Sequence, residues 1–121
     1  MKRILIVDDD PTITTLENKV LSREGYQVVA ASDGEAAKTL LREQHFDLLL
    51  LDIMMPGVDG FDVARAFRSE SKNKRVPVIF VTSRNDGAAM KEGFKAGGTF
   101  FLAKPLNSVQ LKRLVNSLIA E

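Results

Sequence analysis

Short apolar runs alternate with longer amphipathic stretches along this chain, and that alternation is the feature that most restricts its fold. The runs are rich in Ile, Val, Leu and Phe and are too short for helices, so they are predicted to be buried strands. The first, third and fourth are almost continuously apolar, which is typical of strands covered on both faces in a parallel sheet. The predicted strands lie within residues 3–7, 26–31, 46–51, 76–81 and 98–103.

The stretches between these runs show helical spacing. Asp10 can cap the first helix with Pro11 at its first position, and Gly25 can end it. Ser32 and Glu35 form a possible capping box for the second helix, and glycines make the fourth helix a weaker prediction. The apolar stripes expected to face the sheet are Ile13, Leu16, Val20 and Leu21; Ala36, Leu40 and Leu41; Phe61, Ala64 and Phe67; and Leu111, Leu114, Val115 and Leu118.

This strict order of strand and helix predicts the fold class. Five β-α units in succession favour an α/β fold, a doubly wound (βα)5 parallel sheet with right-handed crossovers and helices on both faces. A length of 121 residues is close to the commonest domain size, so we expect a single domain over residues 1–121.

Composition excludes several classes of function. A net charge of +1 gives no strong field to recruit nucleic acid or a membrane surface. The chain has no cysteine, which excludes thiol nucleophiles and thiolate metal sites. No segment has the length of a secretory apolar region or a membrane span. We therefore expect a soluble cytoplasmic protein that does not itself bind DNA.

Polar side chains follow the predicted strands at their carboxyl ends. Asp8 and Asp9 follow the first strand, Asp52 the third, Thr82 the fourth and Lys104 the fifth. Taken singly, each has a plain structural reading, because acids cap helices and begin turns, threonine ends strands, and lysine is usually a surface cation. Ligands of parallel α/β sheets nevertheless bind outside the carboxyl ends of the strands, so the whole set is a candidate site.

The residue types in this set point to a metal and to phosphoryl transfer. Three carboxylates at one edge would repel one another unless a hard divalent cation relieved the repulsion, and Mg²⁺ prefers oxygen ligands. We therefore predict a Mg²⁺ site at Asp8, Asp9 and Asp52. A carboxylate beside a metal, a lysine and a hydroxyl can attack a phosphoryl group while the cations stabilise its charge. The leucine run 48–51 is interpreted as the strand that holds Asp52 at this site.

Four sequence pieces in this order and spacing resemble the receiver domain of two-component response regulators. They are ILIVDDD at 4–10, LLLLDIMMPGVDG at 48–60, VIFVTS at 78–83 and FLAKP at 101–105. The resemblance covers essentially the whole chain, which looks like a chemotaxis-type regulator. It implies a flavodoxin-like fold with strand order 2-1-3-4-5.

The resemblance also implies a role for each matching residue. Asp52 would accept a phosphoryl group from a histidine kinase or phosphotransfer protein, and the product would control a downstream protein or output domain. Asp8, Asp9 and Asp52 would bind the metal, with the backbone carbonyl of Met54 beside them. Thr82 and Lys104 would contact the phosphoryl group, and Phe101 would be the aromatic switch position. Lys104 and Pro105 match a peptide bond that is usually cis in the family.

Phe101 also has a plain reading as a core phenylalanine. Receivers that control winged-helix transcription factors tend to have an acidic, GADDY-like stretch at this place. This chain has GGTFF at residues 97–101 instead, so it is in doubt that the chain dimerises as those receivers do.

Other functions remain as alternatives. A phosphohydrolase of the haloacid-dehalogenase type also uses a strand-end aspartate, but it requires a second acid two residues later, where this chain has Met54. A pseudo-receiver scaffold would have the fold without a working site. A flavodoxin is disfavoured because DDDPT after the first strand would repel a phosphate that had no metal.

Overall fold

The computed structural model of the protein describes residues 1–84 and 86–120. Within those residues, strands and helices alternate from the first strand to the last helix. The strands are β1 Arg3–Val7, β2 Gln27–Ala31, β3 Leu48–Leu51, β4 Val78–Thr82 and β5 Phe100–Ala103. The helices are α1 Pro11–Arg23, α2 Gly34–Glu43, α3 Gly60–Arg68, α4 Gly87–Lys95 and α5 Ser108–Ile119. A short 3-10 helix at Ser71–Asn73 follows α3, and the sequence patterns did not predict it.

The described strands form one parallel sheet in the order β2-β1-β3-β4-β5. Val7 is paired with Leu51, and Thr82 with Ala103, so the carboxyl ends of neighbouring strands finish side by side. The doubly wound (βα)5 fold and its strand order are thereby confirmed. None of the helices in the described part of the chain combines the length and apolarity that crossing a bilayer requires.

Each face of the sheet is covered by its own apolar core. Alternation along β1 sends Leu5 and Val7 to one core and Ile4 and Ile6 to the other. The first core is completed by buried residues of α2, α3 and α4, and the second by those of α1 and α5. All four residues of β3 are buried, and full burial of a leucine side chain contributes about 1.5–3 kcal/mol.

Local chemistry sets the helix ends, with one correction to the sequence prediction. Asp10 caps α1 by accepting from the Thr12 amide at 2.9 Å, and Pro11 is its first residue, as predicted. The cap of α2 is Asp33, which accepts from the Ala36 amide at 2.8 Å, and not the predicted Ser32. Asp33 directly precedes the first helical residue, which puts its carboxylate in reach of the free amides of the first turn.

The predicted inward stripe of α1 is also partly wrong. Leu21 is buried as expected, but Leu16 is 38% exposed. The buried position one turn before Leu21 belongs to Glu17, which is 1% exposed. Since residues four apart share a helix face, a glutamate takes an inward place that an apolar residue would ordinarily fill.

The start of α3 packs directly on the end of β3. The Gly60 amide donates to the Ile53 carbonyl at 3.0 Å. A Cβ atom at Gly60 would lie 2.2 Å from the backbone oxygen of Asp52. Only glycine allows this approach, so the helix start braces the backbone of Asp52.

Replacing Gly60 by alanine is predicted to destabilise the protein, because the new methyl group meets backbone that cannot move freely. We expect Gly60→Ala to lower the free energy of unfolding by about 1–3 kcal/mol, as overpacking does, measured by urea denaturation followed by circular dichroism.

Gly87→Ala is the matched control. Gly87 is also a first helical residue behind an aspartate cap, and a Cβ there meets nothing within 4 Å. Its substitution should leave stability unchanged or slightly raised. Equal stabilities for the two variants would contradict the packing argument.

Candidate functional site

Backbone pairing carries the predicted site residues to one edge of the sheet. The Asp52 amide donates to the Val7 carbonyl at 2.9 Å, and the Lys104 amide donates to the Thr82 carbonyl at 3.0 Å. The Asp8 amide donates to the Ala31 carbonyl at 3.2 Å. Asp8, Asp52 and Lys104 therefore continue the strand ladders one residue beyond the strand ends, which fixes where their side chains start.

A shared ammonium group joins two buried carboxylates at this edge. Lys104 Nζ donates to Asp8 Oδ2 at 2.8 Å and to Asp52 Oδ2 at 3.0 Å. The other oxygens accept from backbone amides, Asp8 Oδ1 from Asp10 at 2.9 Å and Asp52 Oδ1 from Met54 at 3.2 Å. Every carboxylate oxygen of Asp8 and Asp52 thus has a donor, which is what burial of a charge requires.

Asp9 adds an exposed carboxylate to the buried pair. Oxygen atoms of Asp8, Asp9 and Asp52, one from each, lie within 4.8 Å of one another. All three are hard oxygen ligands, and the partly open position of Asp9 leaves a route from solvent. The cluster therefore fits a divalent cation.

The electrostatics of the pair follow from burial and from Lys104. Burial raises the pKa of Asp8, and the hydrogen bond and charge of Lys104 only partly offset it. Burial lowers the pKa of Lys104, but its hydrogen bonds to Asp8 and Asp52 outweigh that effect, so the pKa lies above its ordinary value. Lys104 is consequently charged throughout the physiological pH range.

Glu17 of α1 is a further buried acid, and the sequence prediction missed it. Burial, and then the nearby charge of Asp8, raise the pKa of Glu17 to about 8, while Lys104 opposes the shift. No described residue hydrogen-bonds its Oε1 atom. A charged residue four positions before Leu21, inside an apolar helical stripe, was the signal that could have revealed it.

Thr82 ends β4, and Phe101 lies on the neighbouring strand β5. Thr82 is fully buried, and its Oγ1 accepts from the Arg84 amide at 3.1 Å, which leaves the hydroxyl proton for another acceptor. The half-buried Phe101 ring lies 5.2 Å from the Phe80 ring and 5.3 Å from the Phe94 ring, measured between centroids. The peptide bond between Lys104 and Pro105 is cis, as predicted.

The family model for the response regulator receiver domain matches residues 4–116 of this chain. This chain belongs to the response regulator receiver domain family. Protein PilH of Pseudomonas aeruginosa is 34% identical over 120 residues, which cover 99% of both chains.

Many relatives of this receiver domain are longer proteins. The transcriptional regulatory protein AfsQ1 of Streptomyces coelicolor is 35% identical over 119 residues, which are 98% of this chain and 52% of AfsQ1. The receiver domain thus spans about half the length of several curated relatives that it matches.

Solved structures confirm the receiver fold. The chemotaxis protein CheY4 of Vibrio cholerae superimposes with a TM-score of 0.93 at 30% identity, covering 98% of this chain and 99% of that one. The response regulator TrrA of Thermotoga maritima, solved in complex with Mg²⁺ and BeF, gives a TM-score of 0.86 at 35% identity, covering 98% of this chain and all of TrrA.

Glu17 predicts a specific dependence of stability on pH. The folded-state pKa of about 8 lies above the ordinary value of 4.5, so the neutral carboxyl favours the folded state. This stability is fully present below pH 4.5 and is lost as the pH rises through 8. Relative to Glu17→Gln, the wild type should lose about 3 kcal/mol of unfolding free energy between pH 5 and pH 8.

Urea denaturation of both proteins over this pH range measures the difference. The neutral, equally sized glutamine removes the titration but keeps the side-chain volume, so the other titrating groups cancel in the comparison. Unfolding free energies that stay parallel from pH 5 to pH 8 would show that Glu17 is not buried as a neutral acid.

Proposed function

We propose that residues 1–121 form a single receiver domain whose Asp52 accepts a phosphoryl group from a histidine kinase or a phosphotransfer protein. The observation that supports this most strongly is the buried Asp52 carboxylate, which shares Lys104 with Asp8 and lies beside Asp9. Asp8, Asp9, Asp52 and the backbone carbonyl of Met54 would hold Mg²⁺.

The chemistry follows from where these groups lie. Bound Mg²⁺ would neutralise charge on the phosphoryl oxygens and on the acids that repel them. An oxygen of Asp52 attacks phosphorus, a P–O bond forms, and the P–N bond to the donor imidazole breaks. Its electron pair goes to the leaving nitrogen, so the donor is left as histidine and Asp52 as an acyl phosphate. The Lys104 ammonium moves from the carboxylate oxygens to a phosphoryl oxygen, and the Thr82 hydroxyl can donate to another.

The phosphorylated state would act through Thr82 and Phe101. A phosphoryl group adds about −1.5 to −2 charge and new acceptor oxygens. Movement of Thr82 toward that charge would vacate space that the half-buried Phe101 ring can fill. The result is a population shift of the surface formed by α4, β5 and α5, which a downstream protein or output domain reads.

The site is predicted to take up one phosphoryl group from a small phosphodonor in the presence of Mg²⁺. Incubation with acetyl phosphate should add the mass of one phosphoryl group to the intact protein, because the Asp52 carboxylate is held beside both the cation site and Lys104. Mass spectrometry under conditions that preserve acyl phosphates measures the product. Asp52→Ala should abolish it, whereas Asp62→Ala, which removes an exposed acid of α3, should not. An unlabelled wild type, or an equally labelled Asp52→Ala, would refute the proposal.

Gly93 provides a test of the aromatic switch. A Cβ atom at Gly93 would lie 2.2 Å from Cζ of Phe101, so glycine makes room for the ring where it lies against Phe80 and Phe94. Gly93→Ala should therefore exclude the ring from this position in every state of the site.

Ring resonances of selectively labelled Phe101, recorded by NMR, check that expectation. Beryllofluoride with Mg²⁺ should shift them in the wild type and in the control variant Gly87→Ala, but at most weakly in Gly93→Ala. A wild-type response that is unchanged in Gly93→Ala would mean that Phe101 is only a core residue.

A further inference from the structure

Arg68 is a half-buried arginine at the last position of α3. Its Nε and Nη2 atoms donate to the Gly97 carbonyl at 3.0 and 2.8 Å, and its Nη1 atom donates to the Asn73 carbonyl at 2.6 Å. No carboxylate of the described residues forms an ion pair with this side chain. The guanidinium therefore binds backbone carbonyls, and hydrogen bonds from a charged donor are among the stronger ones in proteins.

The acceptor Gly97 belongs to the turn between α4 and β5. It follows Ala96, the cap residue of α4, and has a φ of 104°. A Cβ atom at Gly97 would lie 2.5 Å from Cγ of Arg68, so the arginine stem lies directly against this turn. A guanidinium at a helix carboxyl end also offsets the negative end of the helix dipole. Arg68 thus holds the carboxyl end of α4 by hydrogen bonds and by packing.

The other acceptor, Asn73, gives Arg68 a firm support. Asn73 lies in the 3-10 helix after α3, is 3% exposed, and donates from Nδ2 to the Phe67 carbonyl at 3.0 Å. The Phe67 ring belongs to the first core. Because Asn73 and Phe67 are both buried, Arg68 connects the α4–β5 turn to a part of the protein that has little freedom to move.

Apolar packing holds α4 weakly by comparison. The buried residues of α4 are Ala89 and Gly93, whereas α3, also nine residues long, buries five residues, including two phenylalanines. The larger apolar side chains of α4, Met90 and Phe94, are 37% and 48% exposed. Since stabilisation by packing scales with the apolar area that is buried, the core contributes less to the placement of α4. A polar contact at one end of this helix can therefore decide which end is fixed.

The amino end of α4 is held less firmly than the carboxyl end. Asp86, Gly87 and Ala88 are exposed, and a Cβ atom at Gly87 would meet nothing within 4 Å. The ion pair between Arg84 and Asp86, at 3.5 Å, is exposed, and such pairs contribute little. This end of α4 is also the one that follows Thr82 closely along the chain.

We propose that Arg68 anchors the carboxyl end of α4 and makes it the pivot of the switch. When Asp52 is phosphorylated, the amino end of α4 moves while the turn at Gly97 and Gly98 keeps its place. The inference rests on the proposed function, because it concerns the response to the phosphoryl group. It assigns Arg68 a positioning role, since Arg68 acts on α4 through this turn.

The anchored turn also limits where the aromatic rings can lie. A Cβ atom at Gly98 would lie 2.6 Å from the Phe80 ring, and the Gly98 amide donates to the Gly93 carbonyl at 2.9 Å. The Phe101 ring in turn lies 5.2 Å from the Phe80 ring. A turn that stays in place keeps one side of this ring packing constant while the rest of α4 moves, which favours two defined states of the switch.

Hydrogen exchange of backbone amides tests the anchor in the unphosphorylated protein. The Gly97 and Gly98 amides donate to carbonyls of α4, and the Leu49 amide of the buried strand β3 reports unfolding of the whole domain. Arg68→Gln should speed exchange at Gly97 and Gly98 by about tenfold to hundredfold beyond any change at Leu49. Equal acceleration at Gly98 and Leu49 would mean that Arg68 contributes only to general stability, and it would overturn the inference.

Arg65→Gln is the matched control for this measurement. It removes another arginine of α3, which is exposed and donates to Asp62 on the same helix at 2.7 Å. Exchange at Gly97 and Gly98 should be the same in this variant as in the wild type.

Backbone amide NMR with beryllofluoride and Mg²⁺ tests the pivot itself. In the wild type and in Arg65→Gln, the changes in chemical shift should be large at Ala88 and Ala89 and several times smaller at Gly97 and Gly98. In Arg68→Gln, the changes at the turn should approach those at the amino end of α4, because the fixed point has been removed.

The outcomes separate this inference from the proposed function. Changes of equal size along α4 in the wild type, or a gradient that is the same in Arg68→Gln, would overturn the pivot and leave the proposed function intact, since amides around Asp52 would still respond. The wild-type gradient requires no substitution, so it decides the matter even for a variant that unfolds. A wild type without any response, around Asp52 or elsewhere, would overturn the proposed function and the pivot with it.

Discussion

The bond of Lys104 to both Asp8 and Asp52 is the interaction on which the rest of the site depends. Two buried carboxylates at neighbouring strand ends repel each other, and a single ammonium at 2.8 and 3.0 Å offsets that repulsion. The ammonium sits on a flexible stem, whereas the amide donors are part of the backbone. Lys104 is therefore the donor that can give way when another cation or an anion enters the site.

The two-sided core explains how such a charged arrangement can be held in place. The strands that end at Asp8 and Asp52 are covered on both faces, so their ends have little freedom to move. The contact of Gly60 with the Asp52 backbone adds a brace from α3. Rigid placement of this kind lets a few polar side chains specify a reaction, because a protein need not reorganise when charge develops.

Much of this arrangement could be predicted from sequence, and the omissions have physical causes. Asp8, Asp9, Asp52 and Lys104 were predictable because parallel strands bring their carboxyl ends to one edge. The apolar pattern of α1 did not reveal Glu17, because such a pattern assigns only apolar residues to the buried face. It therefore predicted that Leu16 is buried and that the glutamate is exposed. The need for Gly60 depends on the distance between two backbones, which the sequence pattern does not contain.

The aromatic rings along one face of the sheet have a consequence for how this chain can vary. Phe61, Phe80, Phe101 and Phe94 follow one another with centroids 5.2–5.6 Å apart, which connects α3 through two strands to α4. The space for this row comes from glycines, since a Cβ at Gly98 would lie 2.6 Å from the Phe80 ring. The large phenylalanine rings thus pack against glycines, which have no side chain. During divergence, a larger residue at a glycine position can be accommodated only alongside a smaller ring opposite it, so these positions must change in concert.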